Sequence, residues 1–200
     1  MNKTILDLFE QNILHPVWEY ENKKLSFECN VKQYDSYQVI TFHGSSTPLD
    51  YILSLTFIPW PYHFKFIHLG IQLGMRKAWK NYISKKIDFN KKTYVIGHSL
   101  GGGRAQLFHL IYGKYFSDIE SIAFGSPRFE WFVSRCFSTI KTIRYVNKKD
   151  LVPKLPTVWM GFVHHGKDIV FGSNKIFPLF DQKLHPQGKY FEELQKICLE

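Results

Sequence analysis

A serine flanked by glycines, between a predicted strand and a predicted helix, constrains this chain more than any other feature. The segment reads Gly97-His98-Ser99-Leu100-Gly101. Residues 93–96 before it predict a short buried strand, and residues 100–115 after it predict a helix. In so tight a turn a side chain at either glycine collides with neighbouring backbone, and the helix start offers N–H groups to a developing negative charge. The pattern predicts a strand–nucleophile–helix turn carrying Ser99; the alternative is a glycine-rich turn with a spectator serine.

Strands and helices alternate through the middle of the chain, which is typical of a parallel sheet. The predicted strands are residues 26–31, 37–42, 93–96, 119–124 and 141–146. The predicted helices are residues 4–14, 70–87, 100–115, 130–137 and 188–198. A late hairpin is predicted from residues 158–163 and 168–171. With 200 residues, the chain is predicted to form one α/β domain, residues 1–200, with a mostly parallel central sheet.

A serine becomes nucleophilic only beside a base that a third group orients. In open parallel sheets, functional groups gather just past the carboxyl ends of the strands. Asp150 fits that position, because a short loop joins it to the predicted strand 141–146. Asp118 precedes its strand, and Asp168 lies within the predicted hairpin. Asp150 is therefore the candidate acid, with a solvated loop carboxylate as the alternative.

Four histidines follow the candidate nucleophile in the chain. His109 lies within the helix after Ser99 and is predicted to point away from it. His164, His165 and His185 all follow Asp150 and all fall near loops. The residues alone leave these three open as the base.

The charge balance predicts anionic partners. Lys and Arg number 26 against 17 Asp and Glu, a formal net charge of +9. The basic residues are scattered and accompany no nucleic-acid-binding motif, so most are expected to form a solvated face. The three cysteines have no paired spacing, and neither a disulfide framework nor a zinc site is predicted.

Five segments, spread in order over residues 37–191, resemble those of the class 3 lipases, the fungal-lipase-like branch of the α/β hydrolases. The segments are Val-Ile-Thr-Phe-His-Gly-Ser (39–45), Ile-His-Leu-Gly (67–70), Gly-His-Ser-Leu-Gly-Gly (97–102), Phe-Gly-Ser-Pro-Arg (124–128) and Tyr-Val-Asn-Lys-Lys-Asp-Leu-Val-Pro-Lys-Leu-Pro (145–156). The resemblance implies the α/β-hydrolase fold and supports Asp150 as the acid.

The resemblance also favours one histidine. Gly161-Phe162-Val163-His164 matches a family segment that does not supply the base, whereas His185, followed by Tyr190, resembles the one that does. The implied triad is Ser99 as nucleophile, His185 as base and acid, and Asp150 orienting the histidine.

The family's oxyanion hole implies two backbone N–H donors, those of Leu100 and Ser45. The family often has Arg where this chain has His43, a departure that leaves both donors in place. An ordinary polar turn is the alternative for Ser45. His68 and His98 are expected to have structural roles.

An aromatic-rich segment, residues 51–66, lies where related lipases carry a lid over an acyl-binding cleft. Phe57, Trp60 and Tyr62 are candidate substrate-binding residues. The alternative is that the segment forms strand edges packed into the core, since exposed aromatic runs are a liability.

Together these features predict a serine ester hydrolase acting on acylglycerols or phospholipids without metal or organic cofactor. Its expected partners are a lipid or small ester and, peripherally, an anionic membrane surface, but not nucleic acid. The alternatives are an inactive lipid-binding or scaffold protein and, less favoured, a peptidase or thioesterase. The first ten residues contain acids and no small-residue cleavage site, so a cytoplasmic location is expected.

Overall fold

A mostly parallel sheet lies at the centre of the computed structural model, which describes residues 2–44, 58–63, 65–132, 140–172 and 187–199. The strands in these ranges are β1 Tyr20–Asn22, β2 Phe27–Gln33, β3 Tyr37–Phe42, β4 Pro59–Tyr62, β5 Lys65–His68, β6 Lys92–His98, β7 Ile119–Phe124, β8 Glu130–Trp131, β9 Thr142–Asn147, β10 Phe162–Val163 and β11 Lys167–Phe171. The central sheet has the order β1-β2-β3-β6-β7-β9-β11, parallel from β3 onward, while β10-β8-β5-β4 form a small antiparallel sheet. The predicted α/β class is confirmed.

Helices lie between these strands and at both ends of the described chain. They are α1 Asn2–Phe9, α2 Leu69–Gln72, α3 Met75–Ala78, α4 Ser84–Lys86, α5 Leu100–Tyr112 and α6 Gln187–Leu199. Turns of π-helix, Glu10–Leu14 and Trp79–Ile83, extend α1 and join α3 to α4; short 3₁₀ turns are Lys23–Leu25, Gly113–Tyr115, Val152–Lys154 and Val158–Met160. Within the described ranges, no helix has the length and apolar character needed to cross a bilayer.

Both faces of the central sheet are buried, which explains the apolar run in β6. Successive side chains of a strand point to opposite faces. Val95 accordingly packs into a core with Phe108 of α5, whereas Ile96 packs into a second core with Phe9 of α1 and Leu194 of α6. The sheet therefore has α5 against one face and α1 and α6 against the other.

The single helix predicted over residues 70–87 is wrong. Helix α2 ends at Gln72, and a second helical stretch begins after Gly74, which has a φ of +86°. A Cβ at Gly74 would lie 2.6 Å from the ring of Phe27. The break therefore serves a close approach of the backbone to a core aromatic, which the helical periodicity does not reveal.

Two predictions near the small sheet are also wrong. The predicted helix 130–137 begins with Glu130–Trp131, which is strand and pairs with Phe162–Val163; residues 133–139 lie outside the described residues. The predicted late hairpin does not form, because Lys167–Phe171 pairs in parallel with β9 instead. Both errors arise because pairing between residues distant in the chain overrides the local pattern.

Candidate active site

Ser99 occupies the sharp turn between β6 and α5. Its backbone has φ 57° and ψ −127°, which is unusual for a residue with a side chain. Its N–H donates to the carbonyl oxygen of Phe124 at 2.8 Å, and its own carbonyl accepts from Gly102 at 2.9 Å. Such a conformation costs on the order of 1–3 kcal/mol and persists only where its surroundings enforce it. Ser99 is partly exposed, whereas His98 and Leu100 beside it are buried.

The flanking glycines allow that turn to form. A side chain at Gly97 would overlap the backbone of Gly101, and one at Gly101 would overlap the carbonyl oxygen of Phe42. The start of α5 therefore packs directly against the end of β3. The collision predicted from the motif is thus present at both glycines.

The two residues that follow β3, His43 and Gly44, lie beside the serine turn. A Cβ at Gly44 would lie 2.9 Å from the carbonyl oxygen of His98 and 3.6 Å from the Cβ of Ser99. The backbone at Gly44 thus lies against the serine turn, and Ser45, the next residue, lies outside the described residues. Leu100 begins α5, where backbone N–H groups lack helical partners and can donate to an anion.

Asp150 lies buried just past the carboxyl end of β9. Its Oδ1 accepts from the backbone N–H of Val152 at 2.9 Å, and its Oδ2 accepts from the hydroxyl of Tyr190 at 2.6 Å. Its own N–H donates to the carbonyl of Asn147 at 3.0 Å. Hydrogen bonds to both oxygens fix the carboxylate in orientation, as an acid that orients a histidine requires.

Tyr190 connects this acid to the serine turn. The residue lies fully buried on α6, and its ring is edge-on to that of His98, with 5.2 Å between centroids. Its hydroxyl also accepts from the N–H of Asn147 at 3.3 Å. Burial and the neighbouring Asp150 raise the pKa of the phenol well above its ordinary value, so it remains a donor. A Cβ at Gly125 would lie 2.8 Å from the hydroxyl, which accounts for glycine there.

The sequence predicted a terminal helix over residues 188–198, which contains Tyr190, but it did not predict the bond to Asp150. An aromatic residue on a predicted helix does not by itself distinguish an apolar ring in the core from a hydroxyl with a function. Only the packing of α6 against β9 shows that the hydroxyl reaches the carboxylate.

His109, which was predicted to point away from the serine, and His164, one of the alternatives for the base, are both engaged elsewhere. His109 pairs through Nδ1 with the hydroxyl of Ser121 at 3.1 Å, and burial lowers its pKa to about 4. His164 pairs through Nε2 with the carbonyl of Pro153 at 2.7 Å. Burial, assisted by the positive charge of Arg144, lowers the pKa of His164 to about 2. A group with so low a pKa is a poor proton acceptor near neutral pH.

His165 follows β10 and is held against the small sheet by a buried acid. Its Nε2 pairs with the carboxylate of Glu130, whose other oxygen accepts from Lys65 at 2.9 Å. Burial raises the pKa of Glu130, but His165 and Lys65 outweigh it and hold the pKa below its ordinary value. The structure thus gives His165 a structural partner, and His185, the histidine that the resemblance favours, lies outside the described residues.

The alternative acids lie elsewhere. Asp118 is exposed at the amino end of β7, 3.9 Å from the ammonium of Lys92. Asp168 lies on β11, and its Oδ1 accepts from Arg144 at 2.7 Å. Among the described residues, no group of three metal-binding side chains is present.

Comparison with known proteins assigns the chain to a family. The model of the class 3 lipases matches residues 39–160. The chain belongs to the class 3 lipase family. A lipase of Rhizomucor miehei is 33% identical over 145 residues, 64% of this chain and 40% of the relative. This class 3 lipase chain therefore spans well under half the length of that curated relative.

Solved lipases share the fold of this class 3 lipase chain. Lipase II of Rhizopus niveus superposes with a TM-score of 0.67 at 22% identity, covering 77% of this chain and 65% of that one. A triacylglycerol lipase whose catalytic centre is described as a serine protease triad has a TM-score of 0.62 at 26% identity, covering 75% of this chain and 63% of that one. The α/β-hydrolase fold is thereby confirmed.

The three candidate substrate-binding residues lie in different surroundings. Trp60 is on β4 with 54% of its surface exposed. Tyr62 is buried in the core, its hydroxyl 3.3 Å from that of Tyr112 and its ring beneath the guanidinium of Arg76. Phe57 lies outside the described residues. For Tyr62 the structure favours the core alternative over a place on an open cleft.

Proposed function

We propose that this class 3 lipase chain is a serine ester hydrolase that cleaves acylglycerols or phospholipids through an acyl-enzyme. One observation carries the proposal: Ser99 is held in a strained backbone conformation at the start of a helix, and Gly44 lies close beside it. Backbone strain of this kind is retained where the surroundings stabilise it and is concentrated at functional sites. The buried, doubly hydrogen-bonded Asp150 supports the proposal as the acid that orients the base.

In the proposed first step, Ser99 Oγ attacks the ester carbonyl while His185 accepts its proton. Asp150 orients His185 and stabilises its charged form. The backbone N–H groups of Leu100 and Ser45 stabilise the oxyanion, and the histidine then protonates the departing alcohol. In the second step, His185 activates water, which releases the fatty acid and restores the serine. The residues invoked complete this reaction without a metal or an organic cofactor.

Lipid class and bond type are tested together by a substrate panel. We expect the purified protein to release fatty acid from a triacylglycerol emulsion or from phosphatidylcholine vesicles, and to leave an amide of the same acyl chain intact. Released acids and lysolipids are quantified by mass spectrometry. Cleavage of the amide or of an acyl thioester in preference to the esters would favour the peptidase or thioesterase alternative. Absence of any cleavage by folded protein would favour the non-catalytic lipid-binding alternative.

An exposed apolar surface beside the acid loop supports contact with lipid. We define it as the aromatic patch, composed of Phe66, Trp131, Phe132, Val158 and Trp159. Trp159 is 84% exposed and Val158 62% exposed. Trp131 links Phe66 to Phe132, because its ring lies 5.7 Å from the ring of Phe66 and 5.6 Å from the ring of Phe132.

Trp159 lies on a short turn whose backbone is fixed by contacts with neighbouring residues. The 3₁₀ turn Val158–Met160 ends at Gly161, which has a φ of +83° and packs against the ring of Trp131. The backbone N–H of Phe132 donates to the carbonyl of Gly161 at 2.7 Å. A tryptophan presented to solvent on a braced turn suits insertion into a lipid interface, and the net charge of +9 favours an anionic one.

Replacing Trp159 with serine is expected to weaken binding to vesicles of mixed phosphatidylcholine and phosphatidylglycerol by roughly tenfold, because burial of a large aromatic surface is lost. Cosedimentation with vesicles measures the change. Tyr115→Ser is the matched control, since Tyr115 is 53% exposed at the far end of α5. Equal vesicle binding by the Trp159 variant and the control would show that Trp159, and with it the aromatic patch, does not contribute to lipid binding.

A further inference from the structure

A buried arginine on the helix that begins at the nucleophile links that helix to the loop beside it. Arg104 lies on α5, five residues after Ser99, and its side chain is fully buried. Its Nη1 donates to the carbonyl oxygen of His43 and its Nη2 to that of Ser26, both at 3.1 Å. Its guanidinium also stacks 4.7 Å above the ring of Phe27.

The carbonyl of His43 marks the point at which β3 ends and the loop begins. The N–H of the same residue donates to the carbonyl of Glu28 at 3.1 Å. Gly44 follows at once, and its position against Ser99 is close enough that a Cβ there would crowd the carbonyl of His98. The orientation of the His43 carbonyl therefore sets the direction in which the chain enters the loop.

Three features thus hold this strand end against the start of α5. Gly101 permits close approach to Phe42, Gly44 permits close approach to the serine turn, and Arg104 hydrogen-bonds the backbone between them. The two glycines only permit contact, whereas the hydrogen bond from Arg104 is attractive and directional. A buried guanidinium requires hydrogen-bond acceptors, since an uncompensated buried charge is costly. The hydrogen bond between the Arg104 guanidinium and the His43 carbonyl therefore forms only when the end of β3 and the start of α5 keep this relative position.

We propose that Arg104 is a positioning residue for the oxyanion hole. By fixing the carbonyl of His43, it holds Gly44 against the turn at Ser99, and Gly44 is bonded directly to Ser45, the residue proposed to supply the second donor. The inference rests on the proposed ester hydrolysis. Donors aimed at the oxyanion contribute only when they are preorganised, and a displacement of about 1 Å can cost on the order of 100-fold in rate.

The guanidinium is suited to this role for a geometric reason. It presents several donors in a planar fork and so reaches two carbonyl oxygens at once, those of His43 and Ser26. A lysine ammonium keeps the charge but lacks the fork, and methionine keeps the length but donates nothing. Arg104→Lys and Arg104→Met therefore form a graded series.

Steady-state hydrolysis of a soluble short-chain ester tests the proposal. We expect kcat to fall about 10- to 100-fold in Arg104→Met and by less in Arg104→Lys, with KM changed by no more than about twofold, because the transition state loses an aligned donor. An alkylboronic acid, which forms a tetrahedral adduct with the serine, should bind more weakly in parallel with the fall in kcat. A non-hydrolysable ether analogue should bind unchanged.

His109→Leu is the matched control, since it removes another buried polar group from α5. It should lower the melting temperature and leave kcat unchanged. If Arg104→Met does not fold, Arg104→Lys carries the test. An unchanged kcat in a folded Arg104 variant, or equal weakening of the boronic acid and the ether, would overturn the inference while ester hydrolysis stands. A wild-type protein without ester turnover would overturn both.

Discussion

Ester hydrolysis by the Ser99→Ala variant is expected to fall by on the order of 10⁶-fold in kcat, because an alanine methyl group cannot form the acyl-enzyme. The substitution removes one oxygen from a turn whose conformation is set by flanking glycines and by the hydrogen bond from the serine N–H to Phe124. The fold should therefore persist. Titration of released fatty acid, with circular dichroism on the same sample, measures both quantities.

Ser117→Ala is the control for this variant. Its hydroxyl donates to the carbonyl of Phe89 in an exposed turn before β7, and its loss should leave turnover unchanged. A folded Ser99→Ala protein that retained the wild-type rate would show that the observed hydrolysis uses another nucleophile.

Replacing Asp150 with asparagine is expected to lower kcat by about 10⁴-fold, because a neutral amide neither stabilises a charged histidine nor holds it in the required tautomer. The side chain keeps its shape: its one oxygen can accept from the Val152 N–H, while its NH2 group can donate to the hydroxyl oxygen of Tyr190. Binding of substrate should change little. Measuring kcat and KM for the soluble ester separates the loss of turnover from any change in substrate binding.

Asp118→Asn provides the comparison, because Asp118 is an exposed carboxylate at the opposite end of a neighbouring strand. Its activity should equal that of the wild type. If the two variants lost activity to the same degree, Asp150 would not be the acid of the proposed triad.

The sequence predicted those parts of the site that depend on neighbours in the chain. The turn at Ser99 follows from glycines two residues to either side, and the placement of Asp150 follows from the strand just before it. The first prediction needed only the glycine spacing typical of a strand–nucleophile–helix turn, and the second needed only the rule that functional groups lie at the carboxyl ends of parallel strands. The structure places both residues as those local patterns predict.

The choice among histidines depends on partners distant in the chain. The residues alone left His164 and His165 open as alternatives to His185, yet His165 pairs with Glu130, 35 positions away, and His164 lies against Pro153. The predicted helix at Glu130 concealed the first pairing. No local pattern reports such contacts, and the resemblance to class 3 lipases was needed to favour one histidine.

The same reasoning explains why Arg104 did not stand out in the sequence. An arginine in the middle of a predicted helix is ordinarily placed on a solvated face, because isolated buried charges are rare. Its burial is explained only when the carbonyls of Ser26 and His43, 78 and 61 positions away, are brought to it by β2 and β3.

Single-domain organisation and a cytoplasmic location remain predictions.

The most direct test of an activated Ser99 is reaction of the folded protein with a small fluorophosphonate, followed by peptide mass spectrometry. We expect one adduct, on Ser99, which is lost in His185→Ala and retained in His164→Gln and His165→Gln variants that remain folded. Absence of an adduct on folded wild-type protein would contradict an activated nucleophile. Labelling that survived in His185→Ala and disappeared in a folded His164 or His165 variant would assign the base to a different histidine.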